Sequence, residues 1–218
     1  MRTVQEIYTQ YRIMPFLQLH QLRVAGVASF IAQNLKLPVH DIQQVLFACL
    51  FHDMGNIIKS DLDVFPESVQ PEGRKFWQSV KDEFVAKYGN DEHEATIAIA
   101  KELSLPPIVC DLIDGFGFSK VTSIAGHGSI LAKVCEYADM RVAPQGIVSV
   151  EQRLEEGKIR YENKKQTGGG FSVEKYDELV HSLTKIEQEL FAGGSVQPEQ
   201  ITDQIIGMIV DPLRKLTL

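Results

Sequence analysis

The chain has 218 residues, of which 44% are hydrophobic and 23% charged, and its formal net charge is -7 at pH 7. These proportions are ordinary for a soluble globular protein. The negative charge argues against binding to extended nucleic acid, which needs a basic surface. It does not exclude a small phosphorylated substrate, because a metal ion and a few local cations can hold one phosphate.

Helical spacing of apolar side chains dominates the chain, and sustained period-two alternation is absent. The sequence therefore predicts an all-α fold. The predicted helices, in chain order, cover residues 3–14, 15–33, 42–52, 72–88, 91–103, 106–113, 123 or 127 to 140, 150–160, 173–191 and 198–216. Asp41 and Asp91 are predicted N-caps, and Gly55 is predicted to end the third helical region.

The chain changes in character after Pro144, where charged and polar residues become frequent. We expect residues 1–143 to form the core and residues 144–218 a helical extension packed on it. The polar, glycine-rich stretch near residues 162–170 is predicted to be a flexible loop of that extension.

No apolar run approaches the ~20 residues that a membrane-spanning helix needs, and the first residues lack the layout of a signal peptide. The three cysteines have no CxxC spacing, which indicates core thiols rather than a disulfide framework or a zinc-thiolate site. We therefore expect a cytoplasmic protein that does not bind membranes.

The adjacent pair His52-Asp53 follows the apolar run 45–51 directly. An imidazole and a carboxylate at the edge of a core segment are costly to bury without a partner, and both are metal-ligand types. At the end of a helix, the negative end of the dipole also favours a cation. His20 upstream and Asp139 downstream would add further ligands. Taken one at a time, each of these residues has an ordinary alternative as a core or solvated polar side chain.

Three segments, in this order, resemble the HD-domain superfamily of metal-dependent phosphohydrolases. Residues 20–24 (HQLRV) resemble the helix of its first histidine, residues 50–55 (LFHDMG) its central motif, and residues 136–141 (EYADMR) the helix of its last aspartate. The resemblance covers residues 15 to about 143 and implies a single-domain helical bundle of HD type. Residues 1–143 would then be its metal-binding core, followed by the C-terminal helical extension.

The resemblance implies that His20, His52, Asp53 and Asp139 bind a divalent metal ion. This mixed nitrogen and oxygen set suits manganese, magnesium, cobalt, nickel, zinc or iron. Asp53 is the catalytic candidate, because one carboxylate oxygen can bind the metal while the other orients the attacking water. Arg23, one turn after His20, is expected to bind a substrate phosphate.

The chain also departs from the family pattern. Asn56 stands where many members have lysine, so Lys59 is the candidate substitute, with an exposed lysine as the alternative. His93 stands at the place of the first of two extra histidines in two-metal members, but Asp114 lies near the place of the second. This argues against a complete two-metal site, and His93 is expected to contact the substrate or its leaving group.

These features predict hydrolysis of a phosphoester of a nucleotide or small phosphorylated metabolite. Two alternatives stay open: a di-iron HD-type oxygenase that cleaves C–C or C–P bonds, and a non-catalytic HD-like module for regulation or nucleotide sensing. The metal content separates all three. The sequence leaves the substrate and the oligomeric state open.

Overall fold

A computed structural model describes residues 1–63, 69–165, 172–193 and 196–218, with the backbone alone for residues 159–165. These parts of the chain confirm the all-α fold, since their regular structure is helical apart from one two-stranded ribbon. The helices are α1 (Val4–Gln10), α2 (Pro15–Asn34), α3 (Val39–Phe51), α4 (Arg74–Tyr88), α5 (Glu92–Glu102), α6 (Pro107–Gly115), α7 (Val121–His127), α8 (Ile130–Met140), α9 (Val150–Lys165), α10 (Val173–Phe191) and α11 (Asp203–Arg214).

Helix α2 is the central element and packs against α3, α8 and α11. Its 20 residues are apolar on most sides, so most of its circumference is buried. Gly26 permits close packing of α2 against α11, because a Cβ atom at this position would lie 2.9 Å from Cγ2 of Ile206 on α11. The helix that carries His20 is therefore held by three neighbours.

Helix α3 packs against α2, α6 and α8, and it is also tied to α1. The buried hydroxyl of Tyr8 donates a hydrogen bond of 2.6 Å to the carbonyl oxygen of Leu50. Because this bond is made next to the last residue of α3, it fixes the end of the helix from which His52 and Asp53 emerge.

The start of α3 differs from the prediction. Helix α3 begins at Val39 directly after Pro38, so Asp41 lies in its first turn and is not its N-cap. Proline starts the helix here because its fixed φ already suits a helix entrance. By contrast, Asp91 is confirmed as an N-cap, since its carboxylate accepts hydrogen bonds from the backbone N–H groups of His93 and Glu94.

Of the two predicted starts of the helix that ends at Met140, residue 123 is wrong, because residues 121–127 form a separate helix, α7, whereas residue 127 lies close to the observed start of α8 at Ile130. The chain turns at Gly128, where a Cβ atom would lie 2.6 Å from the carbonyl oxygen of Ile124. Ser129 then caps α8 by accepting a hydrogen bond from the backbone N–H of Ala132. Helical periodicity runs through this break because both helices bury apolar faces on the same core.

The C-terminal part begins with an antiparallel ribbon of β1 (Val142–Ala143) and β2 (Gly146–Ile147). Helix α9 extends to residue 165, so residues 162–165 of the predicted flexible loop are helical, and residues 166–170 lie outside the described residues. Helix α10 packs on α7 and α8, and α11 packs on α2. The domain boundary at residue 143 stays a prediction. In the described ranges no helix combines the length and apolar character that crossing a bilayer requires.

Candidate metal centre

Three of the four predicted ligands come together from three helices. His20 lies on α2, His52 caps the C-terminus of α3, and Asp139 lies on α8. Oδ1 of Asp139 is 3.1 Å from Nε2 of His20 and 3.5 Å from Nε2 of His52. One ligand atom from each residue lies within 4.8 Å of the other two, so this group could hold a metal ion.

Asp53 borders this group of three. Its Oδ2 atom lies 3.6 Å from Nε2 of His20 and 3.7 Å from Nε2 of His52. Its backbone N–H donates a hydrogen bond of 3.2 Å to Oε1 of Gln21, a buried residue of α2. The turn after α3 is thereby tied to the helix that carries His20, and the Asp53 carboxylate stays within reach of both imidazoles.

His52 is oriented by the backbone of its own helix. Its Nδ1 atom is 2.8 Å from the carbonyl oxygen of Cys49, the geometry of an Nδ1–H donor. This arrangement leaves Nε2 as the atom that could bind a metal, since a hydrogen bond at the other ring nitrogen usually fixes the orientation of a histidine ligand. Nε2 is buried and makes no hydrogen bond among the described residues, although carboxylate oxygens of Asp139 and Asp53 lie 3.5 and 3.7 Å away. A buried nitrogen that faces two carboxylates without a hydrogen bond fits a metal ligand.

Phe116 covers the other side of His52. The two rings are stacked with centroids 4.5 Å apart and an angle of 18° between their planes. The His52 side chain is consequently only 3% exposed, whereas His20, Asp53 and Asp139 are about one fifth exposed. Solvent and substrate can therefore approach the cluster from the side of these three residues.

The electrostatics of the cluster favour a positive charge. Burial by itself would lower the pKa of His52, but the charges of Asp53 and Asp139 outweigh it and raise this pKa to about 9. Burial likewise opposes ionisation of Asp139, yet the close imidazoles of His20 and His52 lower its pKa well below the usual range. A divalent cation would satisfy the same carboxylates that stabilise the imidazolium.

Gly55 shapes the turn behind the cluster in a way that the sequence did not predict. Helix α3 already ends at Phe51, so Gly55 does not terminate it. A Cβ atom on Gly55 would lie 2.2 Å from the carbonyl oxygen of Glu92 and 2.9 Å from Cβ of Ala95, both on α5. Its N–H also donates to Oγ1 of Thr96 at 2.9 Å. Glycine is needed because α5 packs directly against the turn.

The cluster opens into a cleft of about 670 Å³. The three predicted substrate-binding residues, Arg23, Lys59 and His93, all line it. Each faces an oxygen: Nη2 of Arg23 is 3.8 Å from Oδ1 of Asp203, Nζ of Lys59 is 3.2 Å from Oε1 of Glu92, and Nε2 of His93 is 3.1 Å from Oδ1 of Asp114. Their location beside the cluster is established, and their roles toward a substrate stay predictions.

Sequence reasoning missed two further cations of this cleft, Lys120 and Arg153. Nζ of Lys120 donates to the carbonyl oxygen of Asp114, and Nη1 of Arg153 is 3.0 Å from Oε2 of Glu156. Arg153 lies on α9, a helix with many charges, and periodicity alone cannot tell which of them faces a cleft. Lys120 follows a glycine-rich turn whose path depends on tertiary packing.

Glu136 is a third residue near the cluster to which the sequence analysis gave no role. It is 1% exposed, and one of its oxygens accepts a hydrogen bond of 3.0 Å from the N–H of Gly117. Burial, together with the nearby charge of Asp139, raises the pKa of Glu136 to about 7. By holding Gly117, this side chain fixes the loop whose Phe116 stacks on His52.

Comparison with protein families adds one finding to this geometry. A family model described as the HD domain matches residues 18–155. The matched region contains His20, His52, Asp53 and Asp139 and extends into α9. Comparisons with curated proteins and with solved structures gave no significant match.

Proposed function

The chain belongs to the HD-domain family, and on this premise we propose that it is a metal-dependent phosphohydrolase. It would cleave a phosphoester of a nucleotide or another small phosphorylated metabolite. The observation that carries this proposal is the convergence of His20, His52 and Asp139 in a cleft that cationic side chains also line.

The residues present fit a divalent metal ion. His20, His52 and Asp139 would hold it, with Asp53 as the fourth ligand, and the mixed nitrogen and oxygen set suits manganese, iron, cobalt, nickel, zinc or magnesium. When bound, such an ion supplies a Lewis acid that lowers the pKa of a water molecule and neutralises charge on a phosphoryl oxygen.

The other tasks fall to side chains of the cleft. The carboxylate oxygen of Asp53 that does not bind the metal would orient the attacking water and accept its proton. Arg23, with a planar guanidinium, suits a phosphate that needs two parallel hydrogen bonds. Lys59 and Lys120 add positive charge for the remaining phosphate oxygens, and His93, held by Asp114, would contact the leaving group.

The geometry favours this function over the two alternatives. Across residues 1–63, 69–165, 172–193 and 196–218, one group of three or more ligand side chains meets the distance requirement for a metal. Asp114 pairs with His93, which supports one metal rather than a pair of irons. The cationic side chains that line the cleft beside this group, Arg23, Lys59 and Lys120, favour a bound phosphate, and turnover of a phosphoester separates a hydrolase from a non-catalytic module. Metal analysis should therefore give one divalent ion per chain.

Two alanine variants test the proposal, each at the aspartate of a His-Asp dipeptide. Asp53→Ala should abolish phosphatase activity and reduce metal retention, because one carboxylate acts as ligand and as water orienter. Asp41→Ala is the matched control, since His40 and Asp41 form a pair at 2.9 Å outside the cleft. Both variants should keep the helical circular dichroism of the wild type.

The assay is a screen of phosphorylated metabolites with protein stripped of metal and reloaded with each candidate ion. Loss of turnover in Asp53→Ala, with Asp41→Ala at the wild-type level, is the expected result. Near-normal turnover of metal-replete Asp53→Ala would refute the mechanism, and a wild type that hydrolyses no phosphoester with any of the ions would refute the function.

A further inference from the structure

Asp203, the first residue of α11, joins two walls of the cleft. Both of its carboxylate oxygens lie 3.2 Å from the backbone nitrogen of Ile147 on β2 and accept its N–H. Oδ1 also lies 3.8 Å from Nη2 of Arg23 on α2. The ribbon belongs to the same cleft, since Val142 and Ala143 of β1 line it together with Arg23.

The position of this carboxylate is fixed from several directions. Gly146 has a φ angle of +144°, and a Cβ atom there would lie 2.6 Å from Oδ2 of Asp203, so the ribbon closes tightly over the carboxylate. The side chain of Thr202 caps α11. The close contact of Ile206 with Gly26 presses the same helix onto α2, one turn beyond Arg23.

The distance between Asp203 and Arg23 decides whether the carboxylate leaves Arg23 available to a phosphate or competes with that phosphate. At 3.8 Å the carboxylate attracts the guanidinium without a hydrogen bond, so the N–H donors of Arg23 stay available for a phosphate. A carboxylate bound bidentately to Arg23 would instead compete with that phosphate. Both oxygens of Asp203 already accept the N–H of Ile147, which keeps them away from the closer position.

We propose that Asp203 is a positioning residue that holds Arg23 toward the cleft for phosphate binding. The C-terminal helix thereby contributes to substrate affinity without contacting the substrate. This inference rests on the proposed function, because it assumes that Arg23 binds a phosphate.

The test is the affinity of the magnesium-loaded protein for inorganic phosphate, measured by isothermal titration calorimetry. Asp203→Asn keeps an acceptor for Ile147 but removes the charge. It should weaken phosphate binding about two- to fivefold, the range of a partly exposed charge pair, and leave metal binding unchanged. Asp211→Asn is the matched control, because it removes an 88% exposed carboxylate from the same helix.

A double-mutant cycle separates positioning from a general effect on the fold. In the background of Arg23→Ala, Asp203→Asn should have no further effect on phosphate affinity. An equal loss in that background would mean that Asp203 acts only on structure, and unchanged or tighter binding by Asp203→Asn alone would also overturn the inference. A wild type that neither binds phosphate nor hydrolyses any phosphoester would instead overturn the proposed function, and this inference with it.

Discussion

Replacement of Gly55 by alanine should disturb the turn that presents His52 and Asp53. The new Cβ atom would lie 2.2 Å from the carbonyl oxygen of Glu92, which is helix backbone and cannot rotate away. Either the turn or α5 must therefore move by about 1 Å to restore an ordinary contact. Overpacking of this kind costs about 1–3 kcal/mol, and weakening the hydrogen bond from Gly55 to Thr96 adds about 1 kcal/mol.

We therefore expect Gly55→Ala to lower the free energy of unfolding by about 2–4 kcal/mol in urea titrations. Metal affinity, measured by calorimetry, should also fall, because Asp53 lies two residues before the clash. Gly126→Ala is the control: Gly126 lies in α7, where an added Cβ atom would meet nothing within 4 Å, and alanine there should stabilise the helix by about 0.5–1 kcal/mol. A Gly55→Ala protein with wild-type stability and metal affinity would refute this account of the turn.

Two further predictions concern protons and phosphate. In the folded metal-free protein the pKa of His52 is raised from 6.5 to about 9. Protonated His52 therefore adds to the free energy of unfolding in full below about pH 6.5, and this contribution is lost as the pH rises through 9. Urea titrations of chelator-treated protein should show this loss, and a His52→Gln variant should not. Arg23→Ala should lower kcat/KM by an amount that corresponds to a loss of about 2–4 kcal/mol in transition-state stabilisation, with unchanged metal content. Arg23→Lys should recover part of this loss. Equal kcat/KM values for Arg23→Ala and wild type would exclude the phosphate contact.

The fold class could be predicted because helical periodicity is a local signal. The apolar run before His52 marks the end of a buried helix, and a polar pair at that point has few structural uses. His20 and Asp139 lie far away in sequence, and only the resemblance of three segments linked them to this pair. In the structure His20, His52 and Asp139 lie close enough together to hold a metal ion, and the roles of the four residues as ligands stay a prediction.

The walls of the cleft could not be predicted because they depend on tertiary packing. The contact between Gly55 and α5 and the one between Asp203 and Arg23 join residues that are 37 and 180 positions apart, from the sequence numbers. Neither leaves a periodic or compositional trace. The start of α3 differs from the prediction for another reason. The sequence pattern favours Asp41 as a side-chain cap, but the helix begins directly after Pro38 without a side-chain cap.

Helix α2 carries His20, Arg23 and Gly26 on three successive turns. The relative positions of the metal cluster, the cleft wall and the contact with α11 therefore depend on the spacing of these three residues along one helix. An insertion of one residue between His20 and Arg23 would rotate everything after it by about 100° and shift it by about 1.5 Å. Arg23 would then leave the cleft, and Gly26 would no longer face Ile206. Surface loops tolerate changes in length, but this helix does not, so homologous chains should keep its length.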